Sequence, residues 1–305
     1  MKNSRDSYLN QIKLLIFMLI IGCSKGGEIA KRVARTLKKE YSQLTVKKFP
    51  DDELYIKLEA DVRDKDVVLV QSFYGDVNDL LIEVIFAAYT AKDLGARNVS
   101  LVASYFPYFR QDYRFNEGEC ISIEVISKLL DNCLDEFIVI NPHLHRKHSL
   151  NEVFNIKTKL LLTDDLIYRY LKGKTKGYVF VGPDGESGQW VCKIASKLNS
   201  ECIVLEKKRF SATKVSVDTS KLRGLKGKNV VVLDDMVSTG NTLIEAAKGL
   251  KKAGVRKMLF VTTHGLFFND SIKKIRKYGD IVATNTVKNS VAKIDVSGLI
   301  ADSLR

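Results

Sequence analysis

Residues 230–242, VVVLDDMVSTGNT, carry two adjacent carboxylates, Asp234 and Asp235, followed closely by five small hydrogen-bonding residues, Ser238, Thr239, Gly240, Asn241 and Thr242. Neighbouring carboxylates accept hydrogen bonds from vicinal hydroxyls and can hold hydrated Mg²⁺. A turn of small residues that opens a helix presents backbone N–H groups, hydroxyls and the positive end of the helix dipole to a phosphate. Gly240 lets the backbone approach such a ligand closely. The combined chemistry is that of holding a phosphorylated sugar.

Positioning these groups requires a strand, a turn and a helix in succession. Val230 to Leu233 read as a strand covered on both faces, with the two aspartates emerging at its C-terminal end on opposite sides. Leu243, Ala246, Ala247 and Leu250 form the apolar face of the helix. Each part alone has a plainer explanation. A Ser/Thr-rich turn is most often an N-cap, and VVVLDD could be the metal-holding strand of a P-loop ATPase. No GxxxxGK[ST] occurs in the chain, which argues against the latter.

The same pattern occurs twice. Residues 64–105 and 227–264 both read strand, loop, helix, Gly turn, strand. Such a unit implies parallel strands joined by a right-handed crossover, and two copies imply an α/β chain of two similar doubly wound domains with parallel sheets. The first copy has Gln71 and Ser72 where the second has Asp234 and Asp235, so the halves are expected to divide their labour. Segments 136–140, 177–184 and 201–209 read as further strands running into polar residues, at the sheet edge where ligands bind. The expected organisation is an upstream extension (1–17), an N-terminal domain (18–157), a C-terminal domain (158–287) and a last segment (288–305) returning to the first domain.

A length of 305 residues with 45% hydrophobic content suits two domains. The net charge of +13 is scattered among acidic residues; a solvated Lys-rich surface explains it first and a phosphate-rich substrate second. No interleaved aromatic and basic residues form a stacking platform, so no nucleic-acid partner is expected. Cys23, Cys120, Cys133, Cys192 and Cys202 share no CxxC spacing and read as reduced, buried thiols of a cytoplasmic protein. Basic residues ahead of the apolar run Leu14 to Ile21, followed by Gly22-Cys23, mimic a lipoprotein signal. Read instead as a strand beginning near Met18, the run leads into a helix with Ile29, Ala30, Val33, Ala34 and Leu37 on one face.

VVVLDDMVSTGNT resembles the phosphoribosyl-diphosphate binding loop of type I phosphoribosyltransferases and of ribose-phosphate pyrophosphokinases. The resemblance implies that Asp234 and Asp235 face the ribose hydroxyls while Ser238, Thr239, Gly240, Asn241 and Thr242 hold the 5-phosphate. Four further segments resemble the pyrophosphokinases, in their order along the chain. KKFPDDELYIKL (47–58) is similar to the F-x-D-G-E segment and implies Phe49, Asp51 and Glu53 on the nucleotide, with Asp52 in place of the usual Gly. YFPYFRQDYRFNEGE (105–119) is similar to P-Y-x-R-Q-D-R and implies Arg110, Gln111 and Asp112 there, supported by Arg114; read from residue types alone, its aromatics could be a core edge. VINPHLHRKH (139–148) and VGPDGESGQW (181–190) imply His143 and Asp184 as metal-side residues; Asn141 stands where the family has Asp. His145 and His148 read as surface histidines. The residues after Asp184, including Glu186, Ser187 and Trp190, depart from the common bacterial pattern and suggest an archaeal-like branch. VLEKKRFSATKVSV (204–217) is similar to the catalytic loop and implies Lys207 and Arg209 as catalytic cations, with Lys208 in the solvated surface.

The resemblance implies attack of the ribose 5-phosphate C1 hydroxyl on the β-phosphorus of ATP, with Mg²⁺, by a homo-oligomer that shares its nucleotide site between subunits. A cytoplasmic location and no membrane partner are expected. Alternatives are a phosphoribosyltransferase, which has no use for FRQD, a catalytically silent regulator of such enzymes, and a lipid-anchored binding protein suggested by LIIGC.

Overall fold

The computed structural model describes residues 17–305 except 145, 147, 148, 186, 206, 210–214, 218–221 and 223; the side chains of 189, 207–209 and 215–217 are likewise outside the description. His145, His148, Glu186 and nearly all of the upstream extension therefore lie outside the described residues. Two compact units emerge, one running to Leu161 and completed by Val296–Arg305, the other spanning Leu162–Asp295.

The first unit contains β1 (Met18–Gly22), α1 (Gly27–Leu37), β2 (Glu40–Gln43), β3 (Thr45–Lys48), β4 (Leu54–Lys57), β5 (Asp66–Ser72), α2 (Val77–Asp93), β6 (Asn98–Tyr105), α3 (Ser122–Asp131), β7 (Glu136–Ile140) and β8 (Lys157–Leu161). Its sheet has the order β2-β1-β5-β6-β7-β8, parallel throughout. β3 and β4 form a separate antiparallel hairpin. β1 and β5 are buried along their whole length, as expected of strands covered by helices on both faces.

The second unit contains α4 (Asp164–Leu171), β9 (Val179–Gly182), α5 (Gly188–Lys197), β10 (Cys202–Val204), β11 (Lys207–Arg209), β12 (Val215–Val217), β13 (Asn229–Val237), α6 (Asn241–Lys252), β14 (Lys257–Gly265), α7 (Ser271–Arg276), β15 (Asp280–Thr284) and β16 (Ala292–Ile294). The order β10-β9-β13-β14-β15-β16 repeats that of the first sheet, again all parallel. β11 and β12 form an antiparallel hairpin inserted between the second and third strands, as β3 and β4 are in the first unit. Val230 and Val232 enter one apolar cluster and Val231 and Leu233 the other, so one strand anchors two cores. The helices of the two repeats differ in length: α2 has 17 residues and α6 has 12.

Several expectations change. β8 is an edge strand paired to β7 up to Leu161, which carries the first unit past the expected boundary at 157. α8 (Ser297–Ser303) closes the first unit: its Ile300 and Ala301 are buried, and Lys159 Nζ donates to the Ser303 carbonyl at 2.9 Å. β16 belongs to the second sheet, so the returning segment starts later than 288. β13 does not stop at Leu233; Met236 and Val237 pair with His264 and Gly265, because β14 is long enough to carry the ladder past the aspartates. Residues 201–209 form two short strands, not one.

The cysteine reading is corrected too. Cys192 and Cys202 form a disulfide and Cys120 is exposed, whereas Cys23 and Cys133 are buried. Cys23 follows a strand paired on both sides, so processing at this Cys would remove β1 from the sheet. Burial, then the Glu83 carboxylate, push its thiol pKa well up. Among the described residues no helix is long and apolar enough to cross a membrane.

Candidate functional site

In the second unit, residues from neighbouring strands converge on one sheet edge. β9 pairs with β13, so Asp184, just past β9, and the aspartates in the C-terminal half of β13 belong to adjacent strands. Asp234 is 7% exposed, and Asp235 is half-buried. The Asp184 Oδ1 accepts from the Ser187 N–H at 3.1 Å, which fixes the turn leading into α5. On its other side β9 pairs with β10, whose chain continues into β11 and so brings Lys207 and Arg209 onto a hairpin beyond the sheet edge.

The expected phosphate cradle opens α6 without a side-chain cap. Gly240 is the N-cap residue, at φ 77°. A β-carbon there would lie 3.0 Å from Ile275 Cδ1 and 3.2 Å from Ser271 Cβ, so a side chain at 240 would press on both neighbours in addition to straining the positive φ.

The cradle is held from behind by residues that the sequence did not flag. Leu266 and Phe267 N–H groups donate to the Val237 carbonyl at 2.9 and 3.1 Å, and the Phe268 N–H donates to the Ser238 carbonyl at 3.0 Å. Phe267, Asn269 and Asp270 all have φ between 50° and 56°, a conformation disfavoured for side-chain-bearing residues and concentrated at functional sites. Among the described residues, the buried hydroxyls of Thr262 and Ser271 have no hydrogen-bond partner; Thr262 stands beside Asp234 in the strand register.

In the first unit the corresponding edge is closed. Gln71 Nε2 donates to Glu83 Oε1 at 3.1 Å, while Gln71 Oε1 accepts from the Lys25 and Ser72 N–H groups, each at 3.0 Å. Glu83 also accepts from the Ser24 N–H at 2.8 Å and from Ser24 Oγ at 2.6 Å. Burial raises the Glu83 carboxyl above its usual range, and the Ser24 and Gln71 hydrogen bonds oppose that rise. The first copy has exchanged the acidic pair for an amide tied into an internal network.

Arg110, Gln111 and Asp112 follow β6, and His143 follows β7, its parallel neighbour. Asp112 is buried and ion-paired to Arg146 Nη1 at 2.7 Å, so the two segments are joined. The Arg146 guanidinium lies 4.9 Å from the Phe115 ring centre; the basic run HRKH was its sequence signal. Gln111 Nε2 donates to the Tyr113 carbonyl and to Glu119 Oε2, each at 3.2 Å. Arg114 Nε donates to the Glu119 carbonyl at 2.8 Å. Hydrogen bonds, led by those from Asn116, hold the Glu119 carboxyl below its usual pKa. Arg110 is exposed. Phe106 and Phe109 are buried and stack edge-on with their centres 5.9 Å apart; that part of the aromatic run is core.

Phe49, Asp51 and Glu53 occupy the exposed tip of the β3–β4 hairpin. Lys48 Nζ, 2.7 Å from Asp79, ties the hairpin to α2. The Phe49 ring is 50% exposed and meets only Tyr55 edge-on among the described ring contacts, at 6.0 Å. Asp52 has φ 68°, which explains why a glycine suits the position in the resembled segment; Asp is among the residues that tolerate this conformation best.

Comparison with known proteins agrees with this geometry. The profile described as the N-terminal domain of ribose phosphate pyrophosphokinase matches residues 18–133, and that of the phosphoribosyl transferase domain matches residues 149–297. The chain is 33% identical over 290 residues to the ribose-phosphate pyrophosphokinase of Methanothermobacter thermautotrophicus, covering 94% of this chain and 100% of that protein. It is 34% identical over 283 residues to that of Pyrococcus furiosus, with 92% and 97% covered. A phosphoribosylpyrophosphate synthetase from Mycobacterium smegmatis shares the fold, with a TM-score of 0.83 at 22% identity, over 94% of this chain and 97% of the other.

Proposed function

This chain belongs to the ribose-phosphate pyrophosphokinase family, and on that premise we propose that it transfers the diphosphoryl group of ATP to the C1 hydroxyl of ribose 5-phosphate, releasing AMP. The observation that carries this reading is that Asp234 and Asp235 near the end of β13 and the left-handed Gly240 turn that opens α6 stand on one continuous strand–turn–helix unit. Asp234 and Asp235 accept hydrogen bonds from the ribose 2- and 3-hydroxyls, and residues 238–242 take the 5-phosphate. Sugar and cradle are then fixed on one rigid strand–helix unit, which orients the C1 hydroxyl.

Lys207 and Arg209 stabilise charge on the migrating phosphoryl groups, the main catalytic demand of such a transfer. Phe49, Asp51, Glu53, Arg110 and Gln111 bind the nucleotide, Phe49 through its exposed ring and Arg110 through its guanidinium face. Asp112 acts through Arg146. Because the Phe49 hairpin tip is exposed in a single chain, the reading extends to a homo-oligomer in which one subunit's tip completes its neighbour's nucleotide site. A cytoplasmic location fits substrates of this class.

Mg²⁺ suits the donors present. It takes one or two carboxylates and substrate phosphates and keeps several waters. His143 in the first unit, for an ion on the nucleotide, and Asp184 in the second, for an ion beside the ribose, are the groups that would hold it. When bound, the ion neutralises charge on the phosphate oxygens.

The test is AMP release by the purified protein with Mg²⁺, ATP and ribose 5-phosphate. Lys207→Ala should lower the rate by on the order of 10³, while ribose 5-phosphate binding, read by calorimetry, survives. Absence of AMP from the unmodified protein across metal and phosphate conditions would overturn the reading in favour of a silent regulator.

A further inference from the structure

Cys192 and Cys202 lie on the two elements that lead into the proposed catalytic groups. Cys192 is on α5, which starts just past Asp184; Cys202 opens β10, whose chain continues into Lys207–Arg209. Their Cα atoms are 5.3 Å apart, inside the range a disulfide needs without moving the backbone. Both residues are half-buried.

The bridge fastens a short edge strand. β10 has three residues and is an edge strand, bonded only to β9 within its sheet. Beyond the bridge, its far end is steadied by two contacts. The Leu205 N–H donates to the Gly182 carbonyl at 2.9 Å. A β-carbon on Gly188 would lie 3.1 Å from Val204 Cγ2, so strand and helix start are in close contact there. The disulfide therefore fastens α5 to β10 at one end, and packing fastens them at the other. A short, one-sided strand is the kind of element that opens locally at low free energy.

We propose that Cys192 and Cys202 are a reversible thiol–disulfide site that sets how firmly the catalytic hairpin is held, with low-molecular-weight disulfides such as glutathione disulfide as the oxidant. One cysteine thiolate attacks the glutathione disulfide, forming a mixed disulfide and releasing one glutathione thiolate. The second cysteine thiolate then attacks the protein sulfur of that mixed disulfide, forming the bridge and releasing the second glutathione. Two electrons pass from the cysteine pair to glutathione, which leaves as two thiols carrying the two protons. In the reducing compartment proposed above, such a pair responds to redox state and is not a permanent staple. This inference rests on the proposed roles of Asp184, Lys207 and Arg209.

The test equilibrates the full chain in glutathione buffers from reduced to oxidised, maps the linked peptides by mass spectrometry, and measures tryptic cleavage at 207–209 and AMP release on the same samples. In the oxidised sample the peptides of Cys192 and Cys202 should be joined. Cleavage should be slower and AMP release faster, each by on the order of threefold or more relative to the reduced sample. Cys192→Ser should behave as the reduced form in every buffer; if it fails to fold, Cys202→Ser or the unmodified chain alone gives the answer. Unlinked cysteines after oxidation, or equal cleavage of bridged and open forms, would overturn the proposal. Loss of AMP release in both forms, with the cleavage difference intact, would instead remove the enzymatic reading and leave the redox site standing.

Discussion

At Gly240 the backbone turns with φ 77° and packs against Ile275 and Ser271. Gly240→Ala should destabilise the second unit by about 1–2 kcal/mol, the usual cost of a side chain in this conformation. It should also raise the KM for ribose 5-phosphate more than the KM for ATP, read by steady-state kinetics and thermal melts. Glu83 offers a different test. Its carboxyl has a raised pKa in the folded chain, so the folded state holds a proton more tightly than the unfolded one. The associated stability is present at pH below the ordinary value of 4.5 and is lost as pH rises through the elevated pKa. Glu83→Gln can still accept from the Ser24 N–H and donate to Ser24 Oγ without carrying charge. Its melting temperature should therefore gain on that of the unmodified protein as pH is raised from acid to neutral; a constant difference would show that Glu83 does not titrate in this window. Neither the positive φ of Phe267, Asn269 and Asp270 nor the orphan hydroxyl of Ser271 was legible in the sequence, because both depend on what a later loop touches.

At the scale of elements, the hairpins β3–β4 and β11–β12 stand at equivalent points along the chain, each between the second and third strands of its unit, beside two sheets of identical order. One carries Phe49 and the other Lys207 and Arg209. The repeat was visible in the sequence through its hydrophobic periods and Gly turns, and so were the buried faces of α1 and α6, because burial against a sheet imposes a helical spacing. The hairpin correspondence was hidden: the two insertions share no pattern, and 201–209 looked like one strand because apolar and charged residues ran on without a turn signal. Nor could spacing reveal the Asp112–Arg146 pair, which joins two loops far apart in sequence. Asp112 is buried while Arg146 is 51% exposed. A double-mutant cycle on Asp112→Asn and Arg146→Met should give a coupling of about 1–2 kcal/mol, above an exposed pair and below a fully buried one. If the pair positions the nucleotide loop, each single variant raises the KM for ATP and leaves ribose 5-phosphate binding unchanged.

At the scale of the whole molecule, the first unit is assembled from two stretches of chain, and the second lies between them. Removing residues 296–305 uncovers the faces of α1 and β8 that α8 shields. It should lower the melting temperature of the first unit and increase dye binding to exposed apolar surface, while the second unit keeps its melting transition; an unchanged first transition would mean that α8 contributes nothing. The return of the tail to the first domain was foreseen only in outline, since its short apolar stretch names no partner.

That arrangement has a consequence for how the protein is made. During synthesis the first sheet leaves the ribosome early, yet its last helix emerges only after the entire second unit. The domain translated first is thus completed last, and until then it presents the uncovered faces of α1 and β8 to chaperones and to neighbouring nascent chains.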